Sequence, residues 1–413
     1  MTELAPETAD LRYPPPPGCP QLVLHPSRLT LGALAATAVA GWGPTTSARR
    51  RLCATLLAET PNGSAVLTQS GRAALRYALQ RCGAGPGARV VLSTFNCPAV
   101  ADAVLATGAT PVLVDFDPDS GPAFGDVDVE DTLVVLTNGL SRDEWAQHGR
   151  WLSRRGATPI LDLAQAIPST TLISQYLPAG VPIVLSFGVG KPLGGVGGGA
   201  ALLCAADPAD DLGPAETTGG AQLLAAVTQR WIESSPGPVR AAVARRSQRR
   251  PGWSPSKAAH LPQRCGDVPL RGPGRWQTAA AAVLLRDAER LSASARHTHR
   301  TLLAELGPRL RCARFVPGAQ PCLSGGVELL FTERGHRHLF AARLAALGIQ
   351  TGWNHYPLHK LAQYQRFASG QMQRAEQLWT RVLTIPKLPQ RRPVDRLVDA
   401  LLTADAALAQ EVR

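Results

Sequence analysis

The alternation of apolar runs with helical stretches over residues 89–205 constrains the fold most strongly. Six runs have the composition of strands: RVVLS, TPVLVDFD, TLVVLTNG, TPILDL, VPIVLSF and GAALLCA. Between them lie segments such as CPAVADAVLATG, whose apolar residues recur with the period of a helix. Most of the runs are continuously apolar, which is typical of strands that helices cover on both faces. The pattern predicts an α/β domain with a largely parallel sheet.

Composition allows more than one domain and does not by itself select a function. The 413 residues are 45% hydrophobic, enough for one large and one smaller core. Forty-three Lys plus Arg against 31 Asp plus Glu give a net charge of +12, which suits nucleic acid, anionic membranes or phosphorylated small molecules equally. The eight cysteines form no CxxC pair, so we expect neither a zinc site nor a disulfide framework. This cysteine usage predicts a cytoplasmic location. The apolar stretch at 31–42 is too short to span a membrane.

The segment at 181–199, VPIVLSFGVGKPLGGVGGG, carries the first catalytic candidate. Lys191 follows a predicted buried strand and lies among glycines, which leave space around its amine. A lysine that is partly desolvated in this way can act as a nucleophile, although a surface turn with one solvated lysine fits the same residues. A nucleotide-binding P-loop is excluded, because Leu185 stands where that motif needs glycine and Pro192 where it needs Ser or Thr.

A second candidate lies in LTQSGRAALRYALQRCG. The apolar spacing predicts a helix that starts at Gly71 and ends at Gly83. The first amides of a helix have no intrahelical partner and the dipole is positive there, so Ser70 and Gly71 could form a phosphate seat. A plain serine N-cap is the alternative interpretation.

Asp162 closes the run PILD, with Gln165 one turn further on. A carboxylate at the end of a buried strand needs a cationic partner, unless it caps the next helix. Ligands of open α/β sheets bind at the carboxyl ends of the strands. We therefore expect Ser70, Asp162, Ser186 and Lys191 to share one edge of the sheet.

Six segments, in this order and spacing, resemble the DegT/DnrJ/StrS family of pyridoxal-phosphate-dependent sugar aminotransferases. They are SGRAAL, TGATPVLVDFD, ILDLAQA, SFGVGKPLGGVGGGAAL, GIQTGWNHYPLHKL and RVLTIPKLP, and the resemblance runs from about Leu67 to about Leu402. It implies a fold-type-I transferase, with a large three-layer αβα domain, a mostly parallel sheet and a smaller C-terminal α/β domain. We place an N-terminal arm with helices at 1–60, the large domain at 61–290 and the small domain at 291–413.

The resemblance assigns roles to residues in these segments. Lys191 matches the lysine that binds pyridoxal 5'-phosphate covalently and moves protons, and Asp162 matches the aspartate that pairs with the pyridinium nitrogen. Gln165 matches a glutamine beside the ring hydroxyl of the cofactor. Gly71, Arg72 and Ser186, with the neighbouring Ser70, match the phosphate-binding residues. The family also implies a homodimer with active sites at the subunit interface, and no nucleic-acid or membrane partner.

Three positions depart from the family pattern. Arg72 stands where Thr or Ser is usual, and its guanidinium could reach the phosphate or point away. Cys97 stands at the position of the aromatic residue that stacks on the cofactor ring, so either Phe95 moves in to stack or the ring lies on a smaller side chain. The residues before Arg275 read GPG, where the family commonly has an asparagine that acts across the dimer.

The second half of the chain gives weaker predictions. Arginines cluster at about 206–270, either as a solvated surface helix or as a basic patch for an anionic substrate. After Arg275 we expect one long helix, then a strand at GGVELLF, a helix at 337–347, a strand at GIQTGW and a final helix after Pro393. His355 and His359 have metal-ligand spacing but no acidic or cysteine neighbour, so we expect substrate-channel or packing roles and no metal.

The sequence thus predicts an aminotransferase that moves an amino group, expected to come from L-glutamate, to a nucleotide-linked keto-sugar in polysaccharide or glycan biosynthesis. A sugar dehydratase on the same cofactor is one alternative, but relatives with that activity carry histidine in place of Lys191. A non-catalytic regulatory or binding protein on the same fold is the other. The pathway and the substrates rest on the resemblance alone.

Overall fold

The computed structural model describes residues 30–60, 62–137, 145–177, 180–188, 191–193, 195–204, 268–316, 326–352, 355–386 and 394–411, together with Leu22, Leu212, Leu224 and Thr228. The strands of these residues are β1 (Ser64–Thr68), β2 (Arg89–Ser93), β3 (Thr110–Val114), β4 (Phe116–Asp117), β5 (Gly121–Pro122), β6 (Leu133–Thr137), β7 (Thr158–Asp162), β8 (Ile183–Ser186), β9 (Gly199–Leu203), β10 (Ala313–Phe315), β11 (Gly326–Phe331) and β12 (Val382–Pro386). The α-helices are α1 (Leu31–Trp42), α2 (Thr45–Leu56), α3 (Gly71–Arg81), α4 (Pro98–Leu105), α5 (Arg150–Arg154), α6 (Thr170–Tyr176), α7 (Arg275–Leu285), α8 (Ala288–Leu306), α9 (His336–Ala346), α10 (Gln373–Arg381) and α11 (Val394–Glu411).

The central sheet has seven strands in the order β1-β9-β8-β7-β6-β2-β3. The pairings from β8 through β7, β6 and β2 to β3 are parallel, whereas β9 runs antiparallel to both β8 and β1. Every residue of β6, β8 and β9 is buried, as the continuous apolar runs predict. The predicted α/β fold with a mostly parallel sheet is confirmed.

Successive residues of each strand point to opposite faces of the sheet, which produces three layers. Val91, Val134 and Leu161 belong to the hydrophobic core on one face, where α2, α6 and α7 pack. Val90, Val135 and Ile160 belong to the core on the other face, against α3 and α4. Within the described ranges no helix is long and apolar enough to cross a bilayer.

The C-terminal part contains a separate three-stranded antiparallel sheet, β10-β11-β12. Helices α9 and α11 cover it, and their buried residues form a core of their own with β11 and β12. The sheet and the final helix agree with the predicted smaller α/β unit. The boundaries assigned to the three parts of the chain stay a prediction.

Two sequence-based expectations for this part were wrong. Residues 348–352 of GIQTGW form no strand, because Gly348 turns the chain with φ of 76° and Gln350 and Gly352 hydrogen-bond to single residues, Leu22 and Thr384. The third strand is instead β12, from the RVLTIPKLP segment. The long helix expected after Arg275 is two helices, α7 and α8, separated at Arg286 and Asp287.

Other predicted features meet the structure only in part. The first helix of the predicted N-terminal part begins at Leu31, because the hydroxyl of Thr30 caps it by accepting from the Ala33 amide at 3.1 Å. Nearly all of the N-terminal arm before Thr30 and of the basic 206–270 segment lies outside the described residues.

Candidate active site

The site forms at the carboxyl edge of the parallel strands, where β7 ends at Asp162 and β8 ends at Ser186. Asp162 pairs with Thr137 of β6 on one side and with Val184 of β8 on the other, so it lies in the middle of the sheet. Helix α3 starts beside the same edge, because Ser70 forms a parallel bridge with Gly198. The fold thus brings three of the sequence-predicted segments together, as expected for an open α/β sheet.

Glycines allow the start of α3 to lie directly against the end of β8. A Cβ atom on Gly71 would lie 2.6 Å from the Cβ and 2.8 Å from the Oγ of Ser186. A Cβ atom on Gly199 would lie 2.7 Å from the Gly71 amide nitrogen. We call Gly71, Ser186 and Gly199 the glycine cradle. The glycine cradle places the Ser186 hydroxyl next to the first-turn amides of α3. These amides have no intrahelical partner and lie at the positive end of the helix dipole.

Ser70 and Arg72, on either side of Gly71, make other contacts. The Ser70 hydroxyl accepts from the Ala73 amide at 3.2 Å, so Ser70 is the N-cap of α3. The Arg72 guanidinium pairs with the Asp102 carboxylate at 3.6 Å. Asp102 also accepts a 2.5 Å hydrogen bond from the Tyr364 hydroxyl. In this structure Arg72 is therefore directed towards α4.

Asp162 is a buried carboxylate, 8% exposed, without an ion-pair partner in the described part of the chain. Its Oδ1 accepts from the Ala164 amide at 2.9 Å. Burial raises the pKa of Asp162, opposed by that hydrogen bond and by the positive charge of Lys191. Among the described residues no Lys, Arg or His lies within ion-pair distance of it. Because a buried carboxylate without an ion-pair partner is unfavourable, Asp162 would be stabilised by a positively charged atom of a ligand.

Lys191 is half-buried in the turn that follows β8, and its amide donates to the Gly188 carbonyl at 3.1 Å. A Cβ atom on Gly188 would lie 3.4 Å from the Lys191 Cγ, so glycine leaves room for the lysine stem. Burial and the charge of Lys191 lower the pKa of His355 to about 3. The charge of Lys191 thus contributes to the pKa of both Asp162 and His355.

His355 was missed as a site residue by the sequence reasoning, which gave it only a substrate-channel or packing role. The chain brings it in from the segment after α9, in GIQTGWNHYPLHKL. Its ring lies 6.4 Å from the Phe95 ring in an edge arrangement. This segment reaches the site only through the packing of the C-terminal part. The one sequence signal for His355 as a site residue is that GIQTGWNHYPLHKL is among the six segments that resemble the family.

The loop after β2 contains both candidates for stacking on the cofactor ring. Phe95 is 4% exposed and packs 5.7 Å from Phe116, in a cluster with residues of the C-terminal part. Cys97 is half-buried at the start of α4, and its amide donates to the Asn96 Oδ1 at 2.7 Å. Gln165 lies half-buried in the turn after Asp162.

His359 has a packing role, which was one of its two expected roles. Its Nδ1 lies 2.8 Å from the Thr94 hydroxyl and its Nε2 lies 3.0 Å from the Glu376 carboxylate. Burial would raise the pKa of Glu376, but hydrogen bonds from His359 and Lys360 outweigh it and lower that pKa. No group of three metal-ligating side chains occurs within the described ranges.

One protein-family model matches part of this chain. The model of the DegT/DnrJ/EryC1/StrS aminotransferase family matches residues 30–127. A search of curated protein sequences gives no significant match.

Solved structures with the same fold cover nearly the whole chain. The aminotransferase TlmJ from Streptoalloteichus hindustanus is 19% identical, with a TM-score of 0.64 over 94% of this chain and 99% of that one. DesV from S. venezuelae is 22% identical, with a TM-score of 0.61 over 90% and 93%. The PLP-form of Spr1654 from Streptococcus pneumoniae, described as a sugar aminotransferase, is 15% identical, with a TM-score of 0.62 over 96% and 100%.

These structures are fold-type-I aminotransferases, and their likeness extends across both sheets of this chain. The family that matches residues 30–127 is likewise a family of aminotransferases. The matched range includes the start of α3 and the loop after β2, two of the segments that form the candidate site. The family match and the shared fold together confirm the resemblance to the DegT/DnrJ/EryC1/StrS aminotransferases that the sequence motifs indicate.

Proposed function

We propose that this chain is a pyridoxal-phosphate-dependent aminotransferase with Lys191 as its cofactor-binding amine. The observation that carries the proposal is a buried Asp162 that has no ion-pair partner among the described residues and whose carboxyl group is within electrostatic reach of Lys191. Neighbouring structures include one in the PLP-form, and the family match is to aminotransferases.

The residues present fit this cofactor. A protonated pyridine nitrogen would give Asp162 an ion-pair partner and would offset the cost of burying an isolated carboxylate. The glycine cradle offers the Ser186 hydroxyl and first-turn amides to a phosphate, at the helix end that favours anions. Lys191 lies close enough to Asp162 for its charge to act on that carboxyl group.

When bound, the cofactor supplies an electron sink for the carbon that loses a proton. Asp162 keeps the ring nitrogen protonated, which maintains that sink. Lys191 would hold the cofactor covalently through its amine, and that amine would remove the proton from the α-carbon of the amino donor and deliver a proton to the acceptor carbon. Ser186 and the Gly71 amide bind and orient the phosphate. Gln165, in the turn after Asp162, would contact the ring hydroxyl, and Phe95 or Cys97 would border the ring face.

For substrates we propose L-glutamate as donor and a nucleotide-linked keto-sugar as acceptor, within polysaccharide or glycan biosynthesis in the cytoplasm. The presence of Lys191 supports transamination over dehydration. The description of Spr1654 as a sugar aminotransferase supports the acceptor class. We also propose that the enzyme acts as a homodimer, as the family resemblance implies.

The test is a turnover assay with purified full-length protein and pyridoxal phosphate. L-glutamate and a panel of nucleotide-linked 3-keto and 4-keto sugars are added, and 2-oxoglutarate is measured. Transamination yields 2-oxoglutarate and an amino sugar. Loss of water from the sugar without 2-oxoglutarate would favour the dehydratase, and protein that stays colourless with the cofactor would favour a non-catalytic role.

Lys191→Ala is the decisive variant, and Lys360→Ala is its matched control. The Lys360 amine pairs with Glu376 at 3.1 Å, on the surface of the C-terminal part. We expect Lys191→Ala to abolish turnover and Lys360→Ala to preserve it. A Lys191→Ala enzyme with normal turnover would overturn the assignment of the amine.

A further inference from the structure

A groove of about 480 Å³ lies outside the candidate active site, between the β4–β5 hairpin and the C-terminal sheet. Its walls come from the hairpin, from β10 and the end of β11, and from α10. Four arginines line it, Arg311, Arg314, Arg374 and Arg381. We call it the arginine groove. Its volume is in the range of pockets that hold small-molecule ligands.

The acidic residues of the groove are engaged in other contacts. The Asp117 Oδ1 accepts from the amides of Asp119 and Ser120 at 2.8 and 2.9 Å, within the hairpin turn. Burial raises the pKa of Asp117, but these hydrogen bonds and the charge of Arg374 outweigh it and leave the pKa lowered. Asp119 binds Arg314 at 2.9 and 3.2 Å. Both carboxylates are therefore already partnered.

The arginines divide into two pairs. Arg314 is neutralised by Asp119, and Arg374 lies 3.4 Å from Asp115 and 3.7 Å from Asp126. Arg311 and Arg381 make no ion pair with any described residue. The Arg381 Nε donates only to the Gln377 carbonyl, at 3.4 Å. Two guanidinium groups thus line the groove without a counter-ion in the part of the chain that the structure describes.

We infer that the arginine groove binds a small molecule that carries a diphosphate, with Arg311 and Arg381 as its ligands. The planar guanidinium group can donate two parallel hydrogen bonds to the oxygens of a phosphate. Two guanidinium groups also balance the negative charge of a diphosphate, whereas a single carboxylate would need only one. Thr332 and Gln377 line the groove with further polar groups, and Leu310 and Ala313 provide apolar surface. This inference does not depend on the proposed transamination.

The test is calorimetric titration of inorganic pyrophosphate into full-length protein saturated with pyridoxal phosphate, which fills the glycine cradle. The double variant Arg311→Gln, Arg381→Gln should bind pyrophosphate at least about tenfold more weakly. Arg290→Gln is the matched control, because Arg290 is exposed and pairs with Asp287 at 3.1 Å on α8. It should bind as the wild type does.

A second variant makes the result independent of misfolding. Asp119→Asn frees Arg314 from its ion pair, so it should tighten pyrophosphate binding by about twofold to fivefold. The affinities of uridine, UDP and pyrophosphate are then measured, so that recognition of the diphosphate is distinguished from recognition of a base. Wild-type protein that binds pyrophosphate no better than the double variant, or does not bind it at all, would overturn the inference.

Discussion

Replacing Gly71 with alanine tests the packing on which the candidate site rests. The new methyl group would lie 2.6 Å from the Ser186 Cβ. Ordinary contact between carbon atoms is about 3.5 Å, so the start of α3 and the end of β8 must separate by about 0.9 Å. Ser186 is buried and held between β7 and β9, so the helix start is the part that moves. Overpacking of this size costs about 1–3 kcal/mol of stability.

The same displacement moves the first-turn amides away from a phosphate bound in the glycine cradle. One lost hydrogen bond to a charged group costs about 1.5–3 kcal/mol, which corresponds to about tenfold to a hundredfold weaker binding. We expect Gly71→Ala to lower the melting temperature of the cofactor-free protein by a few degrees. We also expect it to weaken pyridoxal-phosphate binding by that factor, measured by absorbance titration.

Two further variants make the test specific. Gly85→Ala is the control, because a Cβ atom there would have no atom within 4 Å, and we expect no loss of stability or cofactor affinity. Adding Ser186→Gly to Gly71→Ala removes the atoms that clash, so stability should be partly regained while cofactor affinity stays low. Gly71→Ala protein that melts and binds like Gly85→Ala would refute the proposed contact and the phosphate seat.

Four other predictions follow from the site. Borohydride reduction with pyridoxal phosphate should label the Lys191 peptide, and Lys191→Ala should remove the label; an equal yield on another lysine would contradict the assignment. Since burial raises the pKa of Asp162 above its ordinary value of 3.8, the stability of the cofactor-free protein should fall as pH rises from that value through the raised pKa. Asp162→Asn should abolish this fall in thermal unfolding while weakening cofactor binding. Phe95→Ala should cost about 3–5 kcal/mol of stability, whereas Cys97→Ala should mainly change the absorption of the bound cofactor. Arg72→Ala should weaken cofactor binding less than Ser186→Ala does, because Arg72 pairs with Asp102; the reverse order in absorbance titrations would identify it as the main phosphate ligand.

Local sequence determined the α/β fold and the positions of most site residues. Short, β-branched apolar runs bounded by turn residues indicate buried strands, so β2, β3, β6, β7 and β8 were predictable from their own residues. The strand ends then located Asp162 and Ser186, and the helix period located the start of α3 at Gly71. Each of these features depends on neighbours within a few residues along the chain.

Tertiary structure decided what depends on residues far apart in sequence. The partner of Arg72 is Asp102, and the neighbour of Phe95 is His355, which no local pattern specifies. GIQTGW has the composition of a strand, but β12 pairs with β11 instead. The backbone of Gln350 and Gly352 therefore hydrogen-bonds only to single residues, Leu22 and Thr384. Side-chain pairing and strand order are set by which surfaces pack most fully in the whole molecule, and a one-dimensional pattern does not contain that information.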